Sequence, residues 1–178
     1  LYVVMRSGVR VLYDDMKEKS FDEQLCNADL QDSMAMDYPL CPIGTLREGS
    51  DDPGRARCYA FLRALYGDTK RDIERNLVSA DLVCGQYLAA AQAAPALEEA
   101  FAQLAAYVRE NPSAYGYVFP VNGTYNYRFI AGTGTLSPHA FGIAVDLCSN
   151  PCDYWRWATA GQGQRRLEGY PQEVVRIM

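Results

Sequence analysis

The sequence predicts one α+β domain over residues 1–178, with helices packed against a small antiparallel sheet. Three observations carry that reading. Apolar residues recur at helical spacing through 58–66 and again through 97–108. After residue 113 the pattern turns to β-rich runs flanking Asn122-Gly123, a strong hairpin-turn signal. A length of 178 residues fits one domain better than two. Helices early and strands late are the order of an α+β fold.

Each element has its own local reason. Leu1 to Met5 and Val9 to Tyr13 are β-rich runs around Arg6-Ser7-Gly8, which reads as an N-terminal hairpin. Residues 14–50 are mixed, with charged turns, a short helix near Leu30 to Met36, and a Pro/Gly-rich loop from Tyr38 to Gly49. Asp51-Asp52-Pro53 reads as a helix start, an Asp cap followed by Pro in the first turn. Cys58, Phe61, Leu62, Leu65 and Tyr66 then form one apolar stripe that Gly67 ends. Thr69 with Asp72 resembles a capping box and opens a second short helix to about Leu77. Pro95 opens a third, whose apolar face is Leu97, Phe101, Leu104, Ala105 and Val108, and Asn111-Pro112 ends it. Tyr115 to Val121 and Thr124 to Ile130 read as the two strands of a hairpin, and Gly142 to Leu147 as a further strand. Asp153 to Ala160 reads as a helix, Gly161 to Gly163 as a loop, and Pro171 opens the last helix.

Composition narrows the function. The net charge is −5 and no Lys/Arg stripe offsets it, which argues against a duplex nucleic-acid or anionic-membrane binder. No apolar run reaches the roughly 18 residues of a membrane span. The chain has 21 aromatics, ample for a core. It starts at Leu1 inside a strand-like run and stops at Met178 inside a helical pattern, so it reads as an excerpt of a longer product. Six cysteines, an even number, lean towards an oxidising compartment, and sequence cannot choose their pairing. Cys58, on an apolar stripe, and Cys84, between Val83 and Gly85, read as core. There is one histidine, so a centre needing two or three cannot be complete within this sequence.

That histidine lies where the chemistry concentrates. In Gly142 to Leu147, strand alternation points Ile143, Val145 and Leu147 one way and Gly142, Ala144 and Asp146 the other. Asp146 thus stands on a face cleared of bulk. His139 is an odd number of residues away, but Pro138 and Gly142 permit a bend that swings it round to Asp146. Imidazole and carboxylate on a shared face make a partial zinc site; a hydrogen-bonded structural pair is the alternative. Adjacent acids such as Asp14-Asp15 and Glu98-Glu99 do not face each other and read as solvated surface. Trp155 and Trp157 could line a glycan cleft, or one of them could pack a helix onto the sheet.

The string Ser-x-His-x-x-Gly-x-Ala-x-Asp, Ser137 to Asp146, resembles the zinc D-alanyl-D-alanine carboxypeptidase and L-alanyl-D-glutamate endopeptidase family, peptidases of bacterial peptidoglycan. The likeness continues upstream in Gly123 to Thr133 and downstream in Asp153 to Trp157 and Tyr170 to Val175. It touches Asp37 to Leu40 and Ala60 to Gly67 as well. It is specific from Gly123 to Asp146 and looser elsewhere. The resemblance implies a hedgehog/DD-peptidase-like fold and a bound Zn2+. It implies His139 and Asp146 as the first two zinc ligands and Arg128 beside the scissile carbonyl oxygen. Ser137 becomes a serine supporting the site by hydrogen bonding. It implies a peptidoglycan stem peptide as substrate, and hence a place outside the cytoplasmic membrane. The family's general base is a Glu, followed three residues on by a His as third ligand, in a segment this sequence does not contain.

Two other readings stand beside it. One is a non-catalytic module that binds cell-wall peptide or metal, lacking the third ligand and the base. The other is a structural zinc site built from His139, Asp146, Cys148 and Cys152.

Overall fold

A computed structural model describes residues 1–35, 43–46, 54–154 and 156–178. Among them are eight α-helices and two antiparallel two-stranded sheets, an α+β composition. The residues fall into two compact units, one of 1–35 and 54–72, the other of 43–46 and 73–178.

The first unit opens on the expected hairpin. Strands β1 (Tyr2–Val4) and β2 (Arg10–Leu12) pair with Val3 opposite Val11. Gly8 turns the chain at φ +84°, and its N–H donates to the Met5 carbonyl. Val11 points into a small core with Leu30 and Cys58, against which Phe61 and Ala64 pack. Helix α1 (Phe21–Asn27) falls in a stretch read as charged turns. It forms because Ser20 and Glu23 cap it reciprocally, side chain to backbone in both directions. Helix α2 (Leu30–Ala35) follows near the expected place. Helix α3 (Tyr59–Tyr66) begins later than expected, with Cys58 as its N-cap. Asp51 to Pro53, read as its start, lie outside the described residues, and so does most of the loop expected from Tyr38 to Gly49. Ser33 Oγ accepts the Cys58 N–H at 2.8 Å, which holds the chain extended just before the helix. Cys58 is buried as core, while the rest of its stripe is only half-buried. Gly67 ends the helix at φ +126°. Helix α4 (Lys70–Arg75) opens on the expected Thr69/Asp72 exchange and stops short of Leu77.

Leu77 instead begins β3 (Leu77–Asp81), which pairs with β4 (Gln86–Ala90), Ala80 opposite Tyr87. Sequence reading assigned no strand here. Helix α5 (Ala94–Glu110) starts with Pro95 in its first turn and buries Phe101, Leu104 and Val108, as its spacing predicts. These pack with Ala80, Leu82, Ala89, Val118 and Val174 in the main core of the second unit. Each large side chain removed from water there contributes about 1.5–3 kcal/mol. Phe101 meets Phe119 edge-on, ring centroids 6.3 Å apart.

The hairpin expected around Asn122-Gly123 does not form. Pro112–Ala114 make a 3-10 turn and Tyr115–Val118 make helix α6. The run of aromatics and valines also has helical spacing: Tyr115 stacks on Phe119 at 5.6 Å and Val118 is fully buried. The reversal falls later, at Ala131 to Gly134, with Gly132 at φ +78°. Three backbone bonds ladder the flanks. Asn126 N–H donates to His139, Ser137 N–H to Arg128, and Ile130 N–H to Thr135, at 3.1, 3.0 and 2.9 Å. Gly142 to Leu147 is not a strand either. It touches its neighbour through one bridge, Gly123 with Asp146. The small sheet expected to carry the site is therefore absent from this segment, and both sheets lie elsewhere in the sequence.

The end of the chain also differs. Pro151–Asp153 form a 3-10 turn, and helix α7 (Ala160–Glu168) takes in Gly161 to Gly163, which were read as a loop. A Thr159/Gln162 capping box starts the helix there rather than at Asp153. Helix α8 (Gln172–Ile177) follows Pro171 as expected and buries Val174.

Candidate functional site

Ser137 is buried and sits at the N-cap of a 3-10 turn, Pro138–Phe141, its Oγ accepting the His139 N–H at 3.4 Å. Ala140 and Phe141 are fully buried and pin the turn down. Gly142 then leaves it at φ +70°. A Cβ at this position would lie 2.6 Å from Leu77 Cδ2 and 2.8 Å from the Ala90 nitrogen, so no larger residue fits. The Gly142 carbonyl accepts the Ala90 N–H at 2.9 Å, which ties the turn to β4.

This bend brings His139 to Asp146, as the Pro138 and Gly142 positions predict. His139 Nε2 lies 3.3 Å from Asp146 Oδ1. The other ring nitrogen, Nδ1, lies 2.6 Å from the Thr124 carbonyl. A carbonyl only accepts, so in the neutral ring Nδ1 carries the proton and Nε2 presents its lone pair to the carboxylate. Two acceptors facing each other at that distance call for a cation between them, a proton or a metal ion. A histidine whose far nitrogen donates to a backbone carbonyl is the arrangement that orients metal-binding imidazoles. Asp146 is held by its backbone: its N–H donates to Gly123 and its carbonyl accepts from Asn122. Val145 and Leu147 pack on the main core while the Asp146 side chain is 60% exposed. The alternation read from the sequence holds for these three residues without a strand, but Gly142, expected on the same open face as Asp146, is buried against Leu77 and Ala90.

Thr124 is the site residue that sequence reading missed. It acts through its carbonyl, and a carbonyl leaves no signature in residue identity. Its side chain is buried, and Oγ1 donates to the Leu88 carbonyl of β4 at 2.5 Å. Beside it, burial and the Glu74 carboxylate push the Tyr125 phenol up to about 12. Arg128 lies opposite Ser137 through its backbone, and its side chain is exposed. Among the described residues it makes no ion pair with Asp146.

The four-ligand alternative does not assemble. Among the described residues, His139, Asp146, Cys148 and Cys152 do not draw their ligand atoms together, and both cysteines are free. Trp155 lies outside the described residues. Trp157 is 72% exposed and stacks edge-on with Tyr154, so it packs no helix onto a sheet.

One group of three acids does converge, in the first unit. Asp14, Asp15 and Asp29 place carboxylate oxygens within 4.8 Å of one another and could hold a metal ion. Asp14 and Asp15 are therefore not the solvated surface pair expected from the sequence: both are half-buried in this cluster. The Lys19 ammonium is already inserted, at 3.2 Å from Asp15, 3.0 Å from Asp29 and 2.6 Å from Asp32. Burial opposes the Lys19 charge, but hydrogen bonds to Asp32, Asp29 and Asp15 outweigh it and raise its pKa. Burial likewise opposes the Asp29 charge. The backbone N–H groups of Asp32 and Asp15, with Lys19, pull that carboxyl well below the usual range.

No described helix is long and apolar enough to cross a membrane. Compared with family models, with curated proteins and with solved structures, the chain matches none of them.

Proposed function

We propose that the chain carries part of a zinc peptidase site that hydrolyses an amide bond in peptidoglycan stem peptides, outside the cytoplasmic membrane. The observation that carries this reading is the His139–Asp146 pair, with Nδ1 committed to the Thr124 carbonyl and Nε2 facing Asp146 at 3.3 Å. A neutral imidazole and a carboxylate are two ligands that suit zinc. Zinc, when bound, polarises a carbonyl and lowers the pKa of bound water. His139 and Asp146 would hold it. The exposed Arg128 guanidinium would sit against the carbonyl oxygen of the substrate as negative charge develops there. Ser137 would fix the turn that presents His139. A catalytic zinc keeps three protein ligands, and among the described residues no third His, Cys, Asp or Glu joins this pair, so the reading requires a further ligand and a base beside it.

With no third ligand beside it among the described residues, the pair also suits a second reading, a module that binds metal or cell-wall peptide without cleaving it. One experiment separates them. Zinc content and hydrolysis of a D-Ala-D-Ala peptide are measured on the gene product containing this chain, beside its His139→Ala variant. Loss of both in the variant supports the peptidase. Zinc held without turnover by the parent protein supports the module, and zinc retained by the variant sinks both.

A further inference from the structure

A cavity of about 480 Å3 opens in the second unit, away from the His139 turn, between α5, α6 and the β3–β4 turn. The size falls within the range of small-molecule sites, roughly 300–1,000 Å3. Its walls are apolar: Val108, Phe119 and Val121 are buried and line it. Four polar side chains line it, Tyr87, Tyr115, Cys84 and Arg109. The Tyr87 hydroxyl is already used, donating to the Val121 carbonyl at 3.4 Å. Arg109 is not: among the described residues it has no ion-pair or hydrogen-bond partner, and no Asp or Glu lines the cavity. Arg109 stands in the last turn of α5, where a cation suits the helix dipole, but among the described residues that placement leaves its five N–H donors without a partner. The β3–β4 turn is itself held unusually, Val83 at φ +68°, a conformation uncommon for a β-branched residue. That conformation sets exposed Cys84 at the cavity wall.

We infer that this cavity binds a small aromatic or aliphatic carboxylate, the apolar body against Phe119 and Val121 and the carboxylate on Arg109. An apolar wall accepts the hydrocarbon, and a single unpaired guanidinium selects for one anion at its edge. Amine ligands are disfavoured, since no acid faces the space.

Cys84 supplies the readout and exposed Cys26 on α1 the internal control. Alkylation of both by iodoacetamide is followed by peptide mass spectrometry, with 2-naphthoate as the probe. At about ten times its Kd, naphthoate slows alkylation at Cys84 about tenfold by simple occupancy and leaves Cys26 unchanged. The neutral naphthalene-2-carboxamide protects about fivefold less well, the scale of one exposed charge pair. R109E, a surface change that leaves the core intact, abolishes the preference for the carboxylate. Equal protection by acid and amide, equal slowing at Cys84 and Cys26, or an unchanged preference in R109E would overturn the assignment.

Discussion

Thr124 joins His139 to the β3–β4 hairpin: its carbonyl meets the imidazole Nδ1 at 2.6 Å while its hydroxyl donates to the Leu88 carbonyl at 2.5 Å. One residue thus sets both the tautomer of the histidine and the distance of its turn from β4. Thr124→Val keeps the shape and removes the donor, leaving a carbonyl unpaired beside a buried residue. The expected loss is about 1–3 kcal/mol in urea unfolding. If the proposed site holds zinc, its affinity should fall about tenfold as the imidazole loses its orienting partner's support. A variant as stable as the parent, with unchanged zinc affinity, would show that the bond orients nothing.

Gly142 separates steric from backbone cost when compared with Gly132. Both have positive φ, +70° and +78°. A Cβ at Gly142 collides with Leu77 and Ala90, whereas one at Gly132 meets nothing within 4 Å. Gly132→Ala should cost about 1 kcal/mol, the left-handed backbone alone. Gly142→Ala adds overpacking of about 1–3 kcal/mol. It should also displace the His139 turn. Equal thermal shifts in the two variants would contradict the close approach.

The two variants also mark what the sequence made legible. The string from Ser137 to Asp146 encodes a bend, Pro138 and Gly142, and that bend is what brings His139 to Asp146 without a strand. Local signals with a single physical outcome survived as well. Pro95 opens α5, Gly67 closes α3, and Thr69 caps α4. The failures lie where two periods fit the same residues. Tyr115 to Val121 alternates like a strand, yet burying Val118 and stacking Tyr115 on Phe119 favours a helical turn. Asn122-Gly123 suits a hairpin, but Gly123 pairs with Asp146, a partner 23 residues on that no local pattern names. The capping boxes of α1 and α7, Ser20/Glu23 and Thr159/Gln162, lie in stretches whose charged and Gly-rich composition reads as turn and loop.

Lys19 makes the first unit sensitive to pH at both ends. The Asp29 carboxyl is pulled below its ordinary value, so its contribution is present above about pH 4 and is lost as pH falls below that. The Lys19 ammonium is raised above its ordinary value, so its contribution is present below about pH 10 and is lost as pH rises beyond it. Lys19→Met leaves the carboxylates of Asp15, Asp29 and Asp32 facing one another. The expected cost is about 3 kcal/mol at pH 7, read as lost amide-exchange protection in α2. Calcium or magnesium should leave the parent protein unchanged, because the ammonium already fills the space between the acids. Protection in Lys19→Met equal to the parent's would show that the cluster is solvent-screened.

Arg128 and Ser137 should separate cleanly under mutation, because one is exposed and the other buried. The Arg128 side chain is exposed and has no partner among the described residues, so Arg128→Ala should change unfolding free energy by less than about 0.5 kcal/mol and, if the site holds zinc, leave it bound. If the guanidinium meets the developing oxyanion, the same variant loses about 10²–10³ in kcat, since the interaction strengthens as charge forms. Ser137 works the other way. Ser137→Ala removes the cap that starts the His139 turn and costs about 1 kcal/mol of stability. On the peptidase reading its effect on turnover then runs through the histidine, so zinc affinity and kcat should fall together. Zinc release by Arg128→Ala would place the arginine among the residues that hold the metal site together rather than beside the substrate. Full turnover in that variant would remove Arg128 from the chemistry altogether.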